Sequence, residues 1–110
     1  MSETADTVRR LTDTLGSQSN VAEMLAVNRS SISRWLKRAE TPGPENKAKL
    51  DALDFVYKRL LQTFEPATAR KWLTGVNAHL GNRRPIDLLM KNRVAEVVAT
   101  IEEAASGSYA

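Results

Sequence analysis

Cysteine is missing from this chain of 110 residues, which removes disulfide frameworks, thiolate metal sites and cysteine nucleophiles together. The fold must therefore hold by packing, in keeping with a reducing compartment. A single histidine, His79, excludes any site built from several imidazoles, and beside a leucine it reads as a packing or capping residue rather than a catalyst. No apolar run approaches membrane length, and the residues after Met1 are polar and charged. A soluble, cytoplasmic protein with no membrane partner is expected. Neither a phosphate-cradling glycine loop nor an internal repeat occurs, and no alternation of apolar and polar residues marks a strand. An all-α architecture is what remains.

What the chain does contain is 42% hydrophobic residues, enough for one core or two small ones. That accommodates a compact headpiece and one further module, but no large catalytic cleft. A formal charge of +3 and a pI near 9.5 favour polyanions without naming one. More telling is where the charge sits. Arg29, Arg34, Lys37 and Arg38 cluster in one stretch with no acidic residue among them, as phosphate contact and counterion release require.

Residues 18–37, QSNVAEMLAVNRSSISRWLK, place their residue types at the spacings of a helix-turn-helix. Val21, Ala22 and Leu25 fall on one face of a short helix, Val27 plugs the turn, and Ile32 and Trp35 face inward from a second helix. Ala22, being small, lets two backbones approach where the helices cross. Residues 4–15 supply Val8, Leu11 and Leu15 at helical spacing for a supporting helix that Gly16 stops. Ser17 is placed to cap the first helix of the motif, and Asn28 the second. The outward set of that second helix is then Asn28, Arg29, Ser30, Ser33, Arg34 and Lys37, types that hydrogen-bond to base edges and phosphates. This helix is expected to lie in a DNA major groove, in a homodimer on a palindromic operator. Paired amphipathic helices also occur where no DNA is bound; the spacing, the asparagine and the acid-free basic face together favour DNA. One departure stands in the turn, where Ala26 takes a position commonly filled by glycine.

TPGPEN, residues 41–46, reads as a linker, since the residue before a proline is driven out of helical geometry. The expected domains are a headpiece at 1–43 and a helical module at 44–110. Pro44 suits a first helical position, and the pattern running to Phe64 carries Leu50, Leu53, Tyr57, Leu60, Leu61 and Phe64 as one stripe, with Ala52, Phe55 and Val56 as a second flank. A helix apolar on two sides is either well buried or shared with a second copy. Glu65 and Pro66 open a short helix through Trp72 and Leu73, closed by Gly75; Gly81 then turns the chain. Pro85 opens a helical turn with Ile86, Leu88 and Leu89, and residues 92–105 form a last helix with Val94, Val97, Val98 and Ile101 inward, stopping at Gly107.

Catalysis finds little support. Asp51 with Asp54, and Glu102 with Glu103, lie on helices rich in lysine or small residues, where carboxylates form solvated faces. The serines around Ser30 have no histidine nearby in sequence and are better explained as groove contacts. The chain is read as a binding protein, not an enzyme, with no metal and no cofactor.

From Trp72 onward, the string WLTGVNAHLGNRRPIDLLMKNRVAEVVATIEEAASGSYA resembles the toxin-binding domain of the MbcA/ParS/Xre antitoxins, and most the mycobacterial MbcA type. Trp72, Leu73, Asn77, Leu80, Gly81, Arg84, Pro85, Leu88, Leu89 and Gly107 carry the likeness. With the Xre-like headpiece before it, the resemblance covers nearly the whole chain. It implies a partner of the RES-domain class, an NAD-degrading toxin blocked by direct contact, and an operon repressed by the antitoxin itself. In that family the last residues can reach the toxin's active-site entrance. Carried onto this sequence, the toxin-binding residues are Arg84 of the motif and Ser106, Gly107, Ser108, Tyr109 and Ala110 after the final helix. A short tail with a glycine and an aromatic can thread into a cleft, though chain ends also fray. The rival reading is a plain helix-turn-helix repressor whose second half dimerises or senses a ligand. A structural adaptor without DNA affinity would be favoured if Arg29 and Arg34 were buried in salt bridges.

Overall fold

The computed structural model describes residues 3–106. Its helices are α1 (Glu3–Leu15), α2 (Gln18–Leu25), α3 (Arg29–Leu36), α4 (Pro44–Leu61), α5 (Pro66–Thr74), α6 (Pro85–Met90) and α7 (Val94–Ala105), with one turn of 3-10 helix at Ala78–Leu80. Among the described residues the sole strand-like feature is an isolated antiparallel bridge between Asn77 and Arg83. The all-α expectation holds.

Two compact units divide between Asp54 and Phe55, inside α4 and later than the turn where composition puts the boundary. The long apolar stripe of α4 runs across the division. Leu50 and Leu53 are buried on the first side of the division, and Val56, Tyr57 and Leu60 on the second, so one helix contributes side chains to two cores. Phe55, expected on an apolar flank, is instead 51% exposed. Pro42, in the supposed linker, is buried. The proline-rich segment serves as the lead-in to α4, whose first turn begins with the Lys47 N–H donating to the Gly43 carbonyl at 2.9 Å.

In the first unit α1, α2 and α3 pack against one another around Val8, Leu11, Leu15, Val21, Ala22, Leu25, Ile32 and Trp35, all buried. Each of the larger aliphatic side chains stabilises the fold by about 1.5–3 kcal/mol through removal from water. Gly16, with φ at 106°, ends α1, and the Ser17 hydroxyl then accepts the Asn20 N–H at 3.1 Å to start α2. That turn is one no β-carbon-bearing residue takes easily. Val27 is only half-buried in the turn that it was expected to plug. Ala26 adopts the left-handed conformation, φ 57° and ψ 44°, and its N–H and that of Val27 reach back to the carbonyls of Glu23 and Ala22 at 3.2 and 2.9 Å. This is the hydrogen-bond pattern of a Schellman ending, with alanine where glycine is usual.

The second unit buries Ala69, Leu73, Leu80, Ile86, Leu88, Leu89, Val97 and Ile101 among α5, α6, α7 and the 3-10 turn. Thr100 is buried too, and its hydroxyl donates to the Glu96 carbonyl at 3.0 Å, as a buried hydroxyl requires. Trp72, Val94 and Val98 are half-buried rather than inward. Two left-handed asparagines shape the connections: Asn82 follows Gly81 at φ 61°, and Asn92 ends α6 at φ 60°, with the Arg93 N–H returning to the Leu88 carbonyl at 3.0 Å. Asn92 therefore closes α6 instead of opening the last helix.

Candidate functional site

The outward face of α3 forms a shallow open depression lined by Gln18, Arg29, Ser30, Ser33 and Arg34. Four of the six residues expected to face DNA thus meet in one place. Asn28 precedes them in extended conformation, φ −73° and ψ 144°, and its side chain makes no capping hydrogen bond. Asn28 holds the N-cap position, its backbone carbonyl accepting from the Ser31 N–H at 3.0 Å, but its exposed amide does not take the capping role expected of it. Lys37 sits just past the last turn, exposed, its side chain with no hydrogen-bond or ion-pair partner among the described residues. Arg29 is likewise exposed and unpartnered among them.

The acid-free basic face does not survive folding intact. Arg38 takes a left-handed conformation at φ 59°, and the Arg38 and Ala39 N–H groups return to the carbonyls of Trp35 and Arg34 at 3.2 and 3.0 Å. That turn carries Glu40 back beside α3, where the Arg34 Nε donates to Glu40 Oε2 at 2.8 Å and the Arg34 Nη2 to Ser31 Oγ at 3.3 Å. Arg38 itself turns toward Asp6 of α1, at 3.8 Å. Sequence spacing hides both acids because each lies outside the helix that it pairs with. Arg34 and Glu40 remain 46% and 49% exposed, so the pair is screened by water and the adaptor reading gains nothing from it.

In the second unit, the segment from Asn77 to Asp87 is tied down residue by residue. Asn77 Oδ1 accepts the His79 N–H at 2.9 Å, the Asn77 N–H donates to the Arg83 carbonyl at 3.1 Å, and the Arg83 Nε donates to the Leu80 carbonyl at 2.7 Å. Gly81 is left-handed at φ 68°, which accounts for glycine there. Arg84 precedes α6 and grips Asp87 through Nε and Nη2, at 2.9 and 2.7 Å. This bond holds the Asp87 carboxyl below its ordinary value, against a smaller opposing effect of burial and with further help from the charges of Arg84 and Lys91. Glu96 bridges Arg93, at 2.6 Å from its Nε, and Arg83, at 3.8 Å. Glu102 pairs with Arg59, and Glu103 lies 3.7 Å from His79 Nδ1. Ser106, at the end of α7, donates its hydroxyl to the Glu103 carbonyl at 2.9 Å. Gly107, Ser108, Tyr109 and Ala110, expected as toxin-binding residues, lie outside the described residues. Among the described residues no group of three or more acidic or histidine side chains could hold a metal ion.

Residues 59–103 match the antitoxin Xre/MbcA/ParS C-terminal toxin-binding domain. The likeness to this antitoxin family thus lies within the second unit. It is 29% identical over 92 residues to a probable mycobacterial cidal antitoxin of Mycobacterium tuberculosis, an alignment covering 84% of this chain and 78% of that protein. It is also similar to a chain in the crystal structure of the M. tuberculosis MbcT–MbcA toxin–antitoxin complex, with a TM-score of 0.81, 27% identity and 97% of each chain covered.

Within the chain, the family match begins in the last turn of α4 and ends in α7, so it takes in the motif residues from Trp72 to Leu89 but neither α3 nor the tail. Leu73, Leu80, Pro85, Leu88 and Leu89 are buried, which makes much of the motif scaffold. Arg84 is exposed, and Val76, between α5 and the 3-10 turn, is 69% exposed, a site that the apolar pattern of the sequence does not single out.

Proposed function

We propose that this antitoxin binds an NAD-degrading RES-domain toxin through its second unit, obstructs the toxin's active site, and represses its own operon through α3. The observation that carries the first part is the match of residues 59–103 to a toxin-binding domain, together with likeness to a chain of a solved toxin–antitoxin complex. The second unit is built to present a fixed surface. Its polar connection is held by backbone bonds and by the Arg84–Asp87 pair, so little ordering entropy is lost on docking. In this reading Arg84 contacts the toxin, and residues 106–110 enter the mouth of its cleft.

The DNA part rests on the depression of α3. Arg29 and Arg34 suit guanine edges, Asn28, Ser30 and Ser33 suit adenine edges or phosphates, and Lys37 suits a phosphate near the helix end. A homodimer would place two such helices on a palindromic operator and multiply two weak contacts. The role is regulatory, in the cytoplasm, with no chemistry performed by the chain. Co-expression with the product of the adjacent gene tests the reading: the two should copurify, and NAD consumption by the toxin should fall when the antitoxin is present. A toxin that neither copurifies nor slows would defeat it.

A further inference from the structure

The geometry points to Glu40 as a positioning residue that sets which edge of Arg34 meets DNA. This rests on reading α3 as the DNA-facing helix. Glu40 lies outside that helix and outside the depression, yet its place is fixed by three observations. The turn after α3 is closed by the returns of the Arg38 and Ala39 N–H groups at 3.2 and 3.0 Å. Arg38 accepts a left-handed backbone at φ 59° that most side chains avoid. Its guanidinium lies 3.8 Å from Asp6 of α1, an exposed pair that orients the turn toward the supporting helix. The product of that arrangement is a carboxylate 2.8 Å from the Arg34 Nε.

Arginine reads guanine through two parallel N–H groups aimed at O6 and N7, and it has two edges able to do so: the side edge with Nε, and the end with Nη1 and Nη2. Glu40 occupies Nε, and Ser31 Oγ takes one Nη2 hydrogen at 3.3 Å. Only the end fork is left to point into the depression beside Arg29 and Ser33. A free arginine on an exposed helix samples many rotamers and binds phosphates of any sequence. An arginine buttressed at Nε has lost that freedom before DNA arrives, and the negative charge beside it repels phosphates that are not compensated by a well-formed base contact. Glu40 therefore lowers affinity for arbitrary DNA and raises discrimination for the site.

The test uses full-length protein and fluorescence anisotropy on two duplexes, the region upstream of the gene itself and a scrambled duplex of equal length and composition. Arg34→Ala should cut the ratio of the two affinities about tenfold. Glu40→Ala should tighten binding to the scrambled duplex and reduce the ratio about threefold, with an unchanged melting temperature because the pair is exposed. Glu40→Gln keeps an acceptor oxygen for Nε and should recover at least half of the lost discrimination. Intact discrimination in Glu40→Ala, or no recovery in Glu40→Gln, overturns the assignment while a defective Arg34→Ala leaves the DNA reading standing. Binding to both duplexes unchanged by Arg34→Ala overturns the DNA reading and this assignment with it.

Discussion

Replacing Ala26 by glycine should stabilise the first unit, against the usual rule that a new glycine weakens a helical protein. Ala26 stands at φ 57° and ψ 44°, and an L-residue with a β-carbon holds that conformation at a cost of about 1–2 kcal/mol. Glycine removes this cost but adds about 0.4–1 kcal/mol of backbone entropy to the unfolded chain. The alanine methyl is exposed and packs on nothing in the core, so no burial is lost. The net gain is about 0.5–1 kcal/mol, which for a unit of this size raises the melting temperature by roughly 2–8 °C. Thermal unfolding followed by circular dichroism, with urea melts to confirm an unchanged m-value, measures it. DNA affinity should not change, because Ala26 lies outside the depression on α3. A lower melting temperature for Ala26→Gly would refute the argument, by showing that the turn tolerates alanine without strain.

Five other substitutions probe the two units separately. Arg29→Ala should cost about 1–3 kcal/mol of DNA binding if the arginine meets a guanine, whereas Lys37→Ala should weaken binding to all sequences and flatten the salt dependence by about one phosphate contact, both read by anisotropy titrations at several salt concentrations. Leu89→Ala should destabilise the second unit by about 2–5 kcal/mol because the side chain is fully enclosed, while Trp72→Ala should cost less than a core tryptophan, at about 1–2 kcal/mol, since that ring is half-exposed; urea melts separate the two. Asp87, whose carboxyl is held below its ordinary value, should add stability to the second unit above the unfolded carboxylate range of about 3.9, and that contribution should fade as pH falls through the depressed folded value. Asp87→Asn should lose this component of the acid dependence, and an identical pH–stability curve for the variant would count against the Arg84–Asp87 bond.

The helices were legible because their signals are local. Apolar spacing, Gly16 and the prolines at positions 44, 66 and 85 mark starts and stops that the chain cannot ignore, and the seven α-helices of the described residues follow those signals, with the last starting two residues later than expected. The division inside α4 was not legible, since apolar residues along one stripe look the same whether they serve one core or two. Asn28 shows a similar limit: its residue type and position suit capping, yet its side chain makes no capping bond. Most instructive is Glu40. Its charge is visible in the sequence, but its contact with Arg34 depends on a left-handed arginine four residues farther along the chain, a conformation that propensity argues against. The buried Trp35 indole, whose Nε1 has no hydrogen-bond partner among the described residues, was legible as inward but not as unsatisfied, because packing places the ring and no nearby acceptor follows from the spacing.

The central claim is that the second unit holds the toxin while the last residues close its active site. Deleting residues 106–110 removes no buried side chain of the described core, so the shortened antitoxin should fold, bind DNA and remain attached to the product of the adjacent gene. NAD loss measured in purified complexes of that toxin with full-length or shortened antitoxin decides the matter. The account predicts strong suppression by the full-length chain and a marked rise in NAD consumption with the shortened one, although both copurify. Equal suppression by the two forms would contradict it, and would move the block to the segment around Arg84 or to α7.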